Sequence, residues 1–297
     1  MFRARARFIA LPDSGLSVPP DQGTKRGGAA LRRLPRLVVE KPWGRDDMPS
    51  EFGDFDGRRI GEIWFAHPDG DAAPLMVKFL FTSERLSIQV HPDEDPARAA
   101  GLPRGKDECW LVLAADAGAE LGVGLAVDAD RSALRAAALD GSIIDLIDWR
   151  ATETNDFVYN PAGTIHAIGA GLTIVEVQQN VDRTYRLYDY GRPRELHLDA
   201  GLAVARVSAA ADPRDCHVDP TANTKLVSGP YFHVLHLAGP IDPAAIEDAR
   251  GDLTFVPLSA RCRAADENVR LGEAVLLDDA SLIEIAPGGR ALLCWAA

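Results

Sequence analysis

Long apolar runs are missing from this chain. None approaches the roughly eighteen residues that a membrane-spanning helix needs, so no transmembrane segment is expected. Cysteine is scarce: the four residues Cys109, Cys216, Cys262 and Cys294 are widely separated and form no CxxC pair. That argues against a cysteine-ligated zinc site and suits free thiols in a reducing cytosol. There is no GxSxG elbow and no Gly-x4-Gly-Lys-Ser/Thr loop, and GVGLAV, starting at Gly122, lacks the third glycine of a dinucleotide fingerprint. Serine hydrolases, P-loop enzymes and Rossmann dehydrogenases are thereby set aside. Basic charge is also in short supply, with a net charge of −12 over 297 residues. An acidic body argues against nucleic acid as the main partner. What basic charge there is includes only five lysines against 27 arginines.

Residues 1–36 stand apart, with eight Lys/Arg against two Asp and no periodicity. They are expected to form a flexible basic tail. The opening MFRARARFIALPDSG has only a short apolar stretch, Phe8 to Leu11, and no cleavage site, so a secretory signal is not expected and a cytoplasmic location is. From Leu37 the texture changes to short β-rich runs, RRIGEIWFAHP, PLMVKFLF, RLSIQVHP, ECWLVLAA and AELGVGLAV, separated by Gly, Pro and Asp. Such spacing is the signature of an all-β sandwich or barrel. Residues 128–150 interrupt it with Asp caps, an Ala/Leu-rich run and a stop at Gly141, which predicts a small helical insertion. The organisation expected is a catalytic β-domain over 37–200 and a second, smaller, metal-free β-domain over 201–297, a region without histidine beyond His236.

Three β-runs aim metal-competent groups the same way. In SIQVHPDEDPA, strand parity puts Ser87, Gln89 and His91 on one face and Ile88 and Val90 on the other. In GKDECWLVL, Lys106, Glu108 and Trp110 share a face, and in NDFVYNPAGTIHAIG a Pro161-x-Gly163 turn delivers His166 to a new strand. Two imidazoles, one carboxylate and one amide oxygen make a four-ligand set for a divalent cation with a place left for substrate. A strand histidine is more often simply hydrogen-bonded, and Glu108 could merely pair with Lys106; it is the combination that carries the argument. His67, His197, His217, His233 and His236 lack such a context and are read as ordinary.

NDFVYNPAGTIH resembles the second cupin motif, Gly-x5-Pro-x-Gly-x2-His, with Asn155 at the first glycine. Asparagine visits left-handed backbone conformations more readily than most residues. SIQVHPDEDPA, GKDECWLVL, PAGTIHAIGAGLTIVEVQQN and TYRLYDYGR together resemble type I phosphomannose isomerase (mannose-6-phosphate isomerase) of the short bacterial kind, from about Glu40 to Arg192. The resemblance implies a mainly β cupin (jelly-roll) barrel and a zinc ion on Gln89, His91, Glu108 and His166. It further implies interconversion of mannose 6-phosphate and fructose 6-phosphate through a cis-enediol, with a small-molecule sugar phosphate as the partner. Catalytic roles are implied for Arg186, Glu176 and Lys106, and phosphate binding is assigned to Ser87, Lys106 and Arg192, although Arg192 could only brace its turn. Val181 stands where serine is usual in related bacterial proteins, which bears on substrate affinity. The alternatives are another metal-dependent cupin enzyme, such as a dioxygenase using a two-His-one-carboxylate face, or a sugar-binding cupin without turnover.

Overall fold

The structure is a computed structural model that describes residues 31–209 and 211–297. Most of the expected basic tail, residues 1–30, lies outside the described residues. Its last part does not behave as a tail: Arg32–Arg33 form a short strand paired with Val275 and Leu276, and Arg36–Arg45 is a full strand. The alternation of Leu34, Val38 and Trp43 with polar residues gives this stretch enough apolar surface to be ordered.

The β-runs build two facing antiparallel sheets. The seven-stranded sheet runs in the order Cys216–His217, Asp156–Asn160, Glu108–Ala115, Leu172–Gln179, Leu75–Phe81, Ile60–Phe65, Arg36–Arg45. The five-stranded sheet runs Tyr185–Tyr188, Ile88–Val90, His166–Ile168, Glu120–Leu125, Ile147–Ala151. Between Leu75 and Tyr188 the chain passes back and forth between the sheets, broken only where Ile147–Ala151 stays beside Glu120–Leu125. That alternation is the wrapping of a jelly roll, so the mainly β expectation holds.

Strand parity divides each sheet into two faces. Trp110, Val112, Leu80, Ile174 and Val158 of the larger sheet meet Leu121, Val123 and Ile168 of the smaller one in the barrel interior. The opposite face of the larger sheet, with Phe79, Leu111, Val175 and Val177, packs on Leu226, Phe232, Val234 and Leu292 of the C-terminal unit. That unit holds a six-stranded sheet, which includes Arg32–Arg33, and a three-stranded one. The outer face of the five-stranded sheet is covered by helices Arg131–Asp140, Ile143–Leu146 and Leu198–Val204 through Ile88, Val90, Leu134, Ala138 and Leu202.

The helical insertion obeys its sequence signals. The Asp130 side chain accepts from the backbone N–H groups of Ser132 and Ala133, and Gly141 ends the helix at φ 89°. Two expected boundaries move. The insertion gives way to strand at Ile147, because Ile147 and Trp149 pack against the barrel. The boundary at residue 200 falls inside Leu198–Val204, and Cys216–His217 still completes the edge of the barrel sheet. The larger unit keeps both because its outer faces would otherwise stay exposed.

Candidate active site

The ligand set foreseen from parity converges at one point. His166 pairs in register with Gln89 across Ile88–Val90 and His166–Ile168, so the two side chains are direct cross-strand neighbours. Glu108 reaches them from the opposite sheet, its Oε2 lying 3.3 Å from His91 Nε2 and its Oε1 3.3 Å from His166 Nε2. Gln89 Nε2 is 3.3 Å from His166 Nε2, and its Oε1 accepts from Ser87 Oγ at 3.1 Å. A half-turn of that amide exchanges its oxygen and nitrogen. His91, Glu108 and His166 are all buried.

The protonation states suit a cation. Nδ1 of His91 lies 2.9 Å from the Arg183 carbonyl, and Nδ1 of His166 lies 2.9 Å from the Thr164 carbonyl. A carbonyl can only accept, so each Nδ1 carries the proton and each Nε2 lone pair faces Glu108. Burial, with the Lys106 ammonium beside it, pushes His91 down to about 4 against the pull of Glu108. Burial lowers His166 too. Burial would raise Glu108, but Lys106 and His91 outweigh it and hold the carboxyl well below its ordinary value. Two neutral imidazoles, an amide and an ionised carboxylate are what a divalent metal accepts, and the Nδ1–carbonyl bonds are the outer contacts that orient such ligands. The donor set therefore fits a metal ion. The Lys106 ammonium is drawn to the same atoms, at 2.7 Å from Glu108 Oε2 and 3.1 Å from His91 Nε2.

The ligands open into a cavity of about 530 Å³ between the two sheets. Glu176 lies on its wall, bound by Lys78 Nζ at 2.9 Å and by the Trp110 indole N–H at 3.1 Å. Also on the wall, Glu62 takes Lys41 at 3.1 Å. Burial would raise Glu62, yet Lys78 and Lys41 bring it below its ordinary value. Arg186, paired in register with Gln89, stands one strand from the ligands, with its NH1 on the Glu195 carbonyl at 2.8 Å. Among the described residues, no part of the chain beyond His197 lines this cavity.

The mannose-6-phosphate isomerase of Streptococcus mutans is 34% identical over 242 residues, covering 68% of this chain and 76% of that one. The chain belongs to the mannose-6-phosphate isomerase family. A second member, mannose-6-phosphate isomerase ManA of Bacillus subtilis, is 31% identical over 241 residues and 73% covered. The crystal structure of the mannose 6-phosphate isomerase from Bacillus subtilis superposes with a TM-score of 0.73 at 25% identity, over 89% of this chain and 98% of that one. No protein-family model matches the chain.

Set against the expectations for a mannose-6-phosphate isomerase, the structure brings together Gln89, His91, Glu108, His166, Lys106, Glu176, Arg186 and Ser87. It separates off Arg192. That guanidinium points away from the cavity, to Asp189 at 3.1 Å, Glu84 at 3.0 Å and the Arg85 carbonyl at 2.8 Å. In this structure it braces the turn, with two carboxylates and a carbonyl taking three of its donors. Ser87 contacts Gln89, and Lys106 contacts His91 and Glu108. Sequence reading missed Arg183, Arg194 and His197, all on the cavity wall. They lie on an irregular segment where no periodicity shows which way a side chain points.

Proposed function

We propose that this chain is an aldose–ketose isomerase that interconverts mannose 6-phosphate and fructose 6-phosphate. The reading is carried by one observation: four ligand-competent side chains and a half-buried arginine meet in one cavity, in a member of the mannose-6-phosphate isomerase family. Gln89, His91, Glu108 and His166 would hold the ion, with zinc as the metal. Such an ion supplies Lewis-acid polarisation of the substrate oxygens, helped by a ligand set that carries only one negative charge.

The remaining work falls to the protein. A proton must leave C2 and return to C1 through a cis-enediol whose oxygens become negative. Arg186, beside Gln89, places a permanently charged guanidinium next to those oxygens. Glu176 and Lys106 are the two proton carriers foreseen from the sequence, and the geometry favours Lys106. Its ammonium already lies within hydrogen-bond distance of two ligand atoms, whereas both Glu176 oxygens are engaged, one by an ammonium and one by an indole. Lys106 would then move the proton, and Glu176 would fix Lys78 and the cavity wall. Ser87 orients the Gln89 amide. Val181, whose carbonyl is 3.4 Å from Gln178 Nε2, lines the cavity with an alkyl group and adds no hydroxyl donor there.

The deciding experiment measures mannose 6-phosphate turnover before and after chelation, with zinc added back and metal content determined throughout. Loss of turnover on chelation and recovery with stoichiometric zinc is expected; full turnover in metal-free protein would refute the reading. Lys106→Met is expected to lower kcat by about 10²- to 10⁴-fold, the range typical of losing an acid/base group, and to abolish exchange of the C2 proton with solvent. Glu176→Gln should lower it less. The reverse order would return the proton to Glu176.

A further inference from the structure

Each oxygen of the Glu108 carboxylate has a hydrogen-bonding neighbour, and the two neighbours differ in kind. Oε2 takes the Lys106 ammonium at 2.7 Å, with His91 Nε2 at 3.3 Å. Oε1 takes the side-chain amide of Asn160, whose Nδ2 donates at 2.9 Å, with His166 Nε2 at 3.3 Å. A lysine ammonium rides on a flexible four-carbon stem and can swing aside. Asn160 has no such freedom. It ends the strand Asp156–Asn160 directly opposite Glu108 in register, and it is buried on the sheet face that carries Val158 and Trp110. Of the two neighbours, only Lys106 can yield its oxygen to an ion.

The partner settles which way the amide points. An ionised carboxylate only accepts, so the group beside Oε1 is the NH2; turned over, the amide would set oxygen against oxygen. That orientation leaves Asn160 Oδ1 buried, accepting from no group among the described residues. An unpaired buried carbonyl costs stability, and a leucine of the same shape would avoid that cost. The oxygen end of Asn160 is thus a burden on the fold, and the donor end is what the site uses. Nδ2 also lies 3.0 Å from His166 Nδ1. That ring nitrogen gives its proton to the Thr164 carbonyl, so the approach is a contact between two donors and adds no bond. Asn160 does not line the cavity, so its role runs through Glu108 and not through the substrate.

We propose that Asn160 is a positioning residue that holds Glu108 as a one-oxygen ligand, reserves Oε2 for the ion, and so tilts the site towards zinc and away from ions that take both oxygens of a carboxylate. The assignment rests on the metal reading given under the proposed function. A hydrogen bond to one carboxylate oxygen draws charge to it and leaves the other oxygen the freer donor. Zinc, content with few ligands, loses nothing when Oε1 is withheld. Manganese favours a larger, oxygen-rich shell and is the ion this arrangement disfavours.

The test uses the full chain, with zinc and manganese titrated separately in chelator competition. Asn160→Leu keeps the shape of the side chain and removes its donor. The variant is expected to raise the zinc dissociation constant by about 10- to 100-fold, the usual effect of losing a hydrogen bond to a metal ligand. The manganese constant should move by no more than about threefold, because a freed Oε1 can join Oε2 on that ion. The preference for zinc over manganese therefore narrows, which a loss of packing that weakens both ions alike does not produce. With cobalt bound, the visible absorption should be intense in the parent and weaker in Asn160→Leu, as a second oxygen enlarges the shell. Should Asn160→Leu fail to fold, Asn160→Ala removes the same donor without the bulk and is read in the same way. Zinc and manganese constants that stay at the parent values, or that rise together, would overturn the assignment and leave the metal reading standing. A tighter zinc complex in Asn160→Leu would also overturn it, by showing that the amide bonds His166 Nδ1 and holds that ring back from the ion. A parent that binds neither ion would overturn the metal reading and the assignment with it.

Discussion

Asn155 shows how much one backbone angle asks of a residue. It occupies the first glycine of the cupin motif at φ 78°, with its N–H on the Val112 carbonyl and its own carbonyl accepting from Val218. The angle is fixed from both sides, so the side chain must tolerate it. Left-handed backbone costs an ordinary L-residue about 1–2 kcal/mol, less for asparagine and almost nothing for glycine. Asn155→Ala should therefore lower unfolding stability by about 1 kcal/mol, and Asn155→Gly should stay within about 0.5 kcal/mol of the parent. Chemical denaturation of the three proteins measures this, and an alanine variant as stable as the parent would mean that the turn relaxes. The departure from the motif is conformational, since Asn155 does not line the cavity.

At the scale of elements, the site depends on how the Pro161–Gly163 turn is held. Asp107 lies next to Glu108 in sequence, but its carboxylate reaches across to that turn. It accepts the Ala162 N–H at 2.9 Å and the Tyr159 hydroxyl at 2.5 Å. One buried side chain thus ties the strand carrying Glu108 to the turn that delivers His166. Loss of such an outer contact commonly weakens metal binding by about 10- to 100-fold. Asp107→Ala should raise the zinc dissociation constant by that amount in a chelator competition, and Asp107→Asn, which can still accept from Ala162, by less. Equal zinc affinity in all three proteins would limit Asp107 to fold stability. The same scale explains what could be read in advance. Gln89, His91 and Glu108 were legible because a strand alternates its faces, so each motif carried its own direction. Arg192 and Arg194, two residues apart, carry no such direction. Both reach buried Asp189, and it is the further contacts of Arg192 with Glu84 and the Arg85 carbonyl that separate it from Arg194, which lines the cavity. That the helix Leu198–Val204 runs across residue 200 has a related reason: the apolar face receiving it lies elsewhere in the chain.

In the molecule as a whole, the C-terminal sheet backs the barrel wall that carries Glu108 and Glu176, so its stability bears on the site without touching it. Within that sheet His236 is completely buried. Arg290 Nε donates to its Nε2 at 3.0 Å, and its Nδ1 lies 2.9 Å from the Ala222 carbonyl. With one nitrogen accepting and the other donating, the ring is held neutral. Burial, aided by Arg290 against the opposing pulls of the Ala222 bond and Asp219, pushes it down to about 4. In the unfolded chain it titrates near 6.5, so below that pH the unfolded state binds the extra proton and the folded state does not. Stability present above about 6.5 is therefore lost as the pH falls towards 4, reaching about 2 kcal/mol by pH 5. His236→Gln cannot take up that proton. The variant is expected to begin less stable than the parent at pH 7.5 but to lose about 2 kcal/mol less on going to pH 5, as read from denaturation midpoints at both pH values. Other groups titrate equally in the two proteins and cancel in the comparison. Parallel pH profiles would show that His236 becomes protonated in place, with Arg290 moving aside to admit the charge.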